Sequence, residues 1–464
     1  MSSLKENKMG TQPVGKLLFT MALPIALAML VQAFYNVVDS VFVSNISNEN
    51  QDALNAVSMA FPVQNIMIGI ATGIAVGVNA LLSRALGERN QETVNRCASN
   101  GLFLVVLGML FCALFGIFFA EGFMRSQTDN PHVIQYGTQY IRIITVCSVF
   151  IFGEIIFERL LQSTGRTSYT LITQGTGAVI NIILDPIFIF VLDMEVAGAA
   201  VATVIGQFVA FVLALILNLR KNPEVHISLR KFRPDWKLCG RVMGIAIPSI
   251  VMVAIGSLMY YFFNIILMRF EAMQEGLGEV GTAVFGAYFK LQSFVFMPVF
   301  GINNATLAIC AYNYGARKPK RITRTILCGA LGASCLMLLG IVVFQFFPEV
   351  LLSFFNANEE MLSVGVPALR ILCLPFVFAG PCIIFGSVFQ ALGKSVYSLI
   401  VSIARQIVIL LPAAYLLSFT GEIGAVWYAF PIAEVMSLIA SVTMLIAIYR
   451  QKIRPLYGEK EKNS

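Results

Sequence analysis

Residues 98–120 read ASNGLFLVVLGMLFCALFGIFFA and contain no charged side chain. About 20 predominantly apolar residues are enough for an α-helix to cross the hydrocarbon core of a bilayer. A strand of a membrane β-barrel would alternate apolar and polar residues, and this segment does not alternate. The segment therefore predicts a membrane-spanning α-helix.

The rest of the chain repeats this pattern. Of its 464 residues, 58% are hydrophobic and 12% are charged, and the mean hydropathy is +0.79, whereas a soluble chain has about 25% charged residues. We count twelve apolar spans, which predict an all-α polytopic membrane protein with twelve transmembrane helices. The predicted spans are 17–44, 54–83, 98–120, 134–158, 168–192, 195–219, 242–268, 281–311, 325–347, 364–390, 396–418 and 423–449.

Positive charge alternates between the two sides of the predicted membrane. Most of the 32 lysines and arginines lie in the N-terminal segment, the even-numbered connections and the C-terminal tail, whereas the odd-numbered connections are mainly acidic. Cytoplasmic loops of membrane proteins are rich in Lys and Arg, so both termini are predicted to be cytoplasmic. The same distribution explains the net charge of +7 without a nucleic-acid partner.

The chain contains an internal repeat at a constant offset of 228 residues. Because each half has six predicted spans, the halves should form two pseudo-symmetric six-helix bundles related as a parallel repeat, a plan known from transporters. The predicted lobes are an N-lobe at 1–219 and a C-lobe at 242–464, joined by a basic cytoplasmic linker at 220–241. The matching pairs include Gln64 and Gln292, Gly73 and Gly301, Gly87 and Gly315, Arg89 and Arg317, and Gly165 and Gly393.

Charged residues inside the spans are costly and therefore informative. With a rise of about 1.5 Å per residue, Asp39 of span 1, Asp185 of span 5 and Thr203 of span 6 all fall roughly 10 to 12 Å below the outer surface. Two carboxylates at one depth in a low-dielectric lobe would bind a proton or a small cation such as Na⁺. The alternative is that each aspartate is a structural hydrogen-bonding residue. Candidate partners on the same helical faces are Tyr35, Asn36 and Asn181.

The C-half offers a different set of polar residues. Lys290 could complement an anionic group of a substrate or pair with an acid, and the sequence leaves both open. Together with Lys290, the residues that could line a C-lobe cavity are Gln292, Arg405 and Glu434. In the N-half, Glu154 and Glu158 lie near the inner end of span 4, where we expect them to pair with arginines of the cytoplasmic side.

Cofactor chemistry is not indicated. The nine cysteines form no C-x-x-C pair, and the two histidines lie in polar connections, so no metal site is predicted. Gly393-Lys394-Ser395 resembles the end of a phosphate-binding loop, but position 388 is Val388 where that motif needs glycine. We therefore expect no cofactor and no ATP, and transport coupled to H⁺ or Na⁺. No cleavable signal peptide is apparent.

These features resemble the multidrug and toxic compound extrusion (MATE) transporters over essentially the whole chain. Pro24 followed by Asp39, Asn181 with Asp185 and Pro186, and Ala197-Gly198-Ala199-Ala200 followed by Thr203 look like motifs of that family. Within its DinF-like and MepA-like branch, the residues matching Tyr35, Asp39, Asn181, Asp185 and Thr203 form the cation site of the N-lobe, and the first helix bends. The chain lacks the acids that the NorM-like branch carries in spans 7 and 10, at 245–268 and 371–390 here.

The resemblance implies a cation-coupled antiporter that exports cationic or amphipathic small organic molecules by alternating access. It should act as a monomer in a bacterial plasma membrane, with drug-like substrates and membrane lipid as its partners. One alternative is a flippase or exporter of lipid-linked saccharides, which Lys290 and Arg405 would suit. A membrane-embedded transferase is the other, but the clustered acids that such enzymes use to hold Mg²⁺ at a membrane face are missing.

Overall fold

The chain is helical throughout the part that the structure describes. The computed structural model describes residues 7–44, 46, 52–227, 232–355 and 357–457. The longer helices of the N-half are α1 (Val14–Ser44), α2 (Asp52–Gly87), α3 (Gln91–Phe118), α4 (Pro131–Val146), α5 (Ser148–Ser163), α6 (Ser168–Pro186) and α7 (Glu195–Lys221). Those of the C-half are α8 (Trp236–Met268), α9 (Leu277–Gly315), α10 (Pro319–Phe346), α11 (Glu359–Leu372), α12 (Phe376–Ala391), α13 (Ser395–Ile403), α14 (Leu411–Leu417) and α15 (Ala429–Ile448).

These helices confirm the all-α membrane fold. Among the described residues, ten helical segments are long and apolar enough to cross a membrane, and two bent helix pairs raise the number to twelve. The bent pairs are α4 with α5, at 47°, and α11 with α12, at 51°. The sequence predicted each pair as one uninterrupted span, so the two breaks are additions to the prediction.

The internal repeat is visible in the bounds of the helices. At an offset of 228 residues, α3 superposes on α10, and α5 on α12, at both ends. The first residues of α4 and α11 are related in the same way, and so are the asparagines that cap them. Asn130 accepts hydrogen bonds from the amides of His132 and Val133, and Asn358 accepts one from Met361. Such caps satisfy amides that have no partner in the first helical turn.

The repeat extends to the backbone of the connections. Arg89 and Arg317 both have positive φ, at 57° and 51°, just after the helices that end at Gly87 and Gly315. Gly165 and Gly393 form a second such pair, and Asp193 and Gly421 a third. Because positive φ is disfavoured for residues with a Cβ atom, these shared turns show that the two halves have one backbone plan.

The chain divides into two compact units. One comprises Met1–Thr11 and Leu27–Ile250, and the other Gln12–Ala26 and Val251–Ser464. The first unit has a core of mainly small and branched side chains, such as Ala56, Ala60, Ile141 and Ala199. The second has an aromatic core in which Phe263, Phe285 and Trp427 are fully buried.

Candidate functional site

The site is built on a close contact between α6 and α7. Gly177 of α6 and Gly206 of α7 face each other, and a Cβ atom added to Gly206 would lie 2.8 Å from the carbonyl oxygen of Gly177. Only glycine allows two helix backbones to approach this closely, a common device between membrane helices. The contact brings the next turn of α6, which carries Asn181, against α7.

Asn181 connects the two helices. Its side-chain Nδ2 donates to Oδ1 of Asp185 at 3.1 Å and to Oγ1 of Thr203 at 3.4 Å. All three side chains are buried, and Asp185 has no exposed surface. The spacing of four residues between Asn181 and Asp185 places them on one face of α6. The structure therefore brings together three of the residues singled out in the sequence.

Helix α1 contributes Asp39 and Tyr35. The charge of Asp39 acts on Asp185, which places the two carboxylates close together in the first unit. Asp39 also acts on the hydroxyl groups of Tyr35 and Tyr140. Asn36 is exposed, so its side chain does not share the burial of the other members of the predicted set.

Two further residues of this region were not singled out for the site. Tyr140 of α4 is buried, and its hydroxyl donates to Oε1 of Gln64 on α2 at 3.3 Å. Gln64 entered the sequence argument only through the repeat. A signal for Tyr140 was available, since it is a polar aromatic residue inside a span, but sequence does not reveal which way a helix is rotated.

Several oxygens of the site have no hydrogen-bond donor. Oδ1 of Asp39, Oδ2 of Asp185 and Oδ1 of Asn181 are all buried and unpartnered. In the part of the chain that the structure describes, no basic side chain forms an ion pair with either aspartate. Burying an unpaired carboxylate is very costly, whereas a bound cation or proton removes the cost. The arrangement can therefore hold one small cation or a proton.

The end of α6 departs from regular helix next to the site. Pro186 directly follows Asp185, and Ile187–Val191 form a π-helix in which the amide of Leu192 donates to the carbonyl of Ile187. Proline has no amide proton to donate to the carbonyl four residues earlier. Short π-helical segments frequently occur at functional sites.

A second pair of acids lies on α5. Glu154 and Glu158 are 8% and 3% exposed, on one face of the helix. The sequence led us to expect ion pairs with cytoplasmic-side arginines. Instead, Glu158 accepts hydrogen bonds from Oγ1 of Thr173 and, at 2.9 Å, from Nε2 of Gln174. The spacing of four residues was the available signal for a pair.

The candidates of the C-half separate into two groups. Arg405 and Glu434 form an ion pair, with Nη1 and Oε1 2.8 Å apart. Lys290 is exposed, and its Nζ lies 5.9 Å from the centroid of the Phe355 ring. Gln292 is half-buried on the same helix, α9. Pro24 lies within α1, which is continuous from Val14 to Ser44.

Comparisons with known proteins agree with this architecture. The family model described as MatE matches residues 24–187 and 248–416. The FAD transporter of Shewanella oneidensis is 26% identical over 437 residues, which cover 92% of this chain and 93% of that protein. The multidrug export protein MepA of Staphylococcus haemolyticus is 22% identical over 412 residues, covering 89% of each chain.

Solved structures show the same fold. The outward-facing conformation of a multidrug resistance MATE family transporter of the MOP superfamily superposes with a TM-score of 0.90 at 23% identity. The match covers 99% of this chain and 100% of that chain.

Proposed function

The chain belongs to the MatE family of membrane transporters, and from this premise we propose that it is a cation-coupled antiporter exporting cationic or amphipathic small organic molecules. Members of the family are transporters, so the transferase alternative is wrong. The MepA relatives are named as multidrug export proteins, which supports drug-like substrates. The protein would work as a monomer in a bacterial plasma membrane, with both termini in the cytoplasm.

One observation carries the coupling proposal. Asp39 and Asp185 are neighbouring acids in the first unit, and each has a buried oxygen without a donor. Intramembrane acids are expensive and mark ion or proton pathways in transporters. We assign cation coupling to Asp39, Asp185, Asn181, Thr203 and Tyr35, with H⁺ or Na⁺ as the coupling ion.

The coupling would act by alternating access. When the aspartates are ionised, the site needs water or polar partners, and when a cation neutralises them the lobe can pack more tightly. A cation that binds one conformation better than the other shifts their equilibrium by that difference in affinity. Pro24 gives α1 a place to bend, because proline removes a helical hydrogen bond and clashes with the carbonyl of Thr20.

The test is gradient-driven efflux of a cationic dye such as ethidium in everted vesicles, with a proton or a sodium gradient imposed separately. Asp39→Asn and Asp185→Asn mimic the neutral site, and both should abolish gradient-driven efflux while the protein stays folded and inserted. Asp129→Asn, which changes an exposed aspartate in a connection, is the matched control and should transport as the wild type does. Wild-type efflux by both site variants would refute the assignment.

A second substrate class has its own support. One relative is named as an FAD transporter, and FAD is a flat anion. Lys290 is exposed and forms no ion pair among the described residues, whereas Arg405 is neutralised by Glu434. If FAD is a substrate, Lys290→Gln should lower FAD transport and leave ethidium efflux unchanged. Equal transport of FAD by the wild type and the Lys290→Gln variant would remove the role of Lys290.

A further inference from the structure

The second acid pair on α5, Glu154 and Glu158, has no role in the proposed coupling site. Both side chains are more than nine-tenths buried inside a membrane-spanning helix pair. Intramembrane carboxylates that are retained without a basic partner mark proton or ion pathways more often than structural contacts. The pair is therefore the strongest unassigned chemical feature of the first unit.

The two glutamates differ in their partners. Glu158 is held by Thr173 and Gln174 of α6. Glu154 forms no hydrogen bond and no ion pair within the described part of the chain. Oε1 of Gln174 is buried and has no donor, although its Nε2 is bonded to Glu158. An acceptor without a donor beside two carboxylates is satisfied when the pair carries a proton, because a protonated carboxyl group donates.

Only one basic group acts on the pair. The charged groups that act on Glu154 and Glu158 are each other and Arg159. The Nη1 atom of Arg159 donates to Gln162 at 3.0 Å rather than to a glutamate. Two adjacent buried carboxylates with a single cation nearby are less costly to bury when they share one proton, as carboxylate pairs elsewhere do.

Tyr35 links this pair to the coupling site. The charges of Glu154, Asp39 and Asp185 all act on the Tyr35 hydroxyl, so this group lies between the two acid pairs. A phenolic hydroxyl can accept a proton on its oxygen while donating its own, and this allows a proton to pass without a charged intermediate at either carboxylate. Beyond Glu158, α5 ends at Ser163, at the end that the distribution of Lys and Arg assigns to the cytoplasm.

We propose that Glu154 and Glu158 form a second proton-binding site, which exchanges one proton with the Asp39–Asp185 site through Tyr35 and releases it toward the cytoplasm. The O–H bond on one Asp carboxyl breaks as an O–H bond forms on Glu154, and no electron transfer is involved. The inference rests on the proposed function, because it takes the coupling ion to be H⁺.

The experiment is infrared difference spectroscopy of the purified protein in lipid, between acidic and alkaline pH, in the carbonyl-stretch region of protonated carboxyl groups. The wild type should show bands of protonated carboxyls that disappear on alkalisation. Part of this signal should be lost in Glu154→Gln and in Glu158→Gln, and a different part in Asp39→Asn. Glu349→Gln, which alters an exposed acid, is the control and should leave the buried bands unchanged.

Transport separates the two levels of the proposal. If the glutamate variants retain the full wild-type bands, the second proton site is refuted while the coupling site stands. If Asp39→Asn and Asp185→Asn transport normally, the proposed function itself fails, whatever the spectra show. Tyr35→Phe should keep both sets of bands but slow their appearance after a pH jump, and an unchanged rate would refute the relay. Normal size-exclusion profiles and melting temperatures guard against misfolded variants.

Discussion

Replacing Gly206 by alanine should disrupt the site without touching any of its polar groups. The new methyl would lie 2.8 Å from the Gly177 carbonyl oxygen, whereas ordinary contacts begin at 3.4 Å. Helices α6 and α7 must therefore separate by the difference, about 0.6 Å. The bond from Asn181 to Thr203 is already 3.4 Å long, so it would lengthen to about 4 Å, beyond hydrogen-bonding distance. Overpacking of this kind costs roughly 1 to 3 kcal/mol.

Gly175→Ala is the matched control for this prediction. It lies on the same helix as Gly177, and an added Cβ would meet nothing within 4 Å. Because alanine favours helix over glycine by about 1 kcal/mol, the control should be as stable as the wild type or more so. The assays are the melting temperature of the purified protein and gradient-driven ethidium efflux. If Gly206→Ala melts and transports like Gly175→Ala, the close contact does not position Asn181.

Three further predictions concern other parts of the chain. Glu434→Gln should destabilise the protein by about 3 kcal/mol because it leaves Arg405 unpaired, whereas Arg405→Leu combined with Glu434→Leu should cost less; equal melting temperatures for the single and double variants would contradict this. The pKa of Asp235, just before α8, is lowered by hydrogen bonds from the Leu238 amide and by Arg96. A lowered pKa stabilises the fold above the ordinary value of 3.8, and this contribution is lost as the pH falls below it, so Asp235→Ala should lower the melting temperature at pH 7 but not under strongly acidic conditions. Finally, an impermeant thiol reagent added outside cells should label a cysteine placed at Glu275 and not one placed at Lys221, as read by mass spectrometry; the reverse pattern would overturn the predicted orientation.

The membrane architecture could be predicted because its physical signals are strong and additive. Long uncharged runs such as residues 98–120 have no other stable solution in a bilayer, and the alternation of positive charge checks their number independently. The breaks inside spans 4 and 10 were not predictable in this way. No proline marks the break at Cys147, and although Pro375 precedes α12, prolines within membrane helices are often tolerated without a break.

The site was predictable in depth but not in rotation. A fixed rise per residue places Asp39, Asp185 and Thr203 at one level, and the structure brings Asp185 and Thr203 to the same asparagine. The membership of Tyr140 and the partners of Glu158 depend on which face each helix turns to its neighbours. That rotation follows from tertiary packing, such as the Gly177–Gly206 contact, which a single sequence does not display.

The repeat also shows that one backbone plan can serve two different chemistries. At the offset of 228 residues, Tyr35 corresponds to Phe263, Asp39 to Leu267 and Asp185 to Ala413. Phe263 and Leu267 are fully buried in the aromatic core of the second unit. Each unit can therefore fold on the same helices with an apolar interior, and the acids of the first unit are not needed to form it. Since buried acids without partners reduce stability, their presence in only one unit is best explained by a function there, which is the binding of a coupling ion.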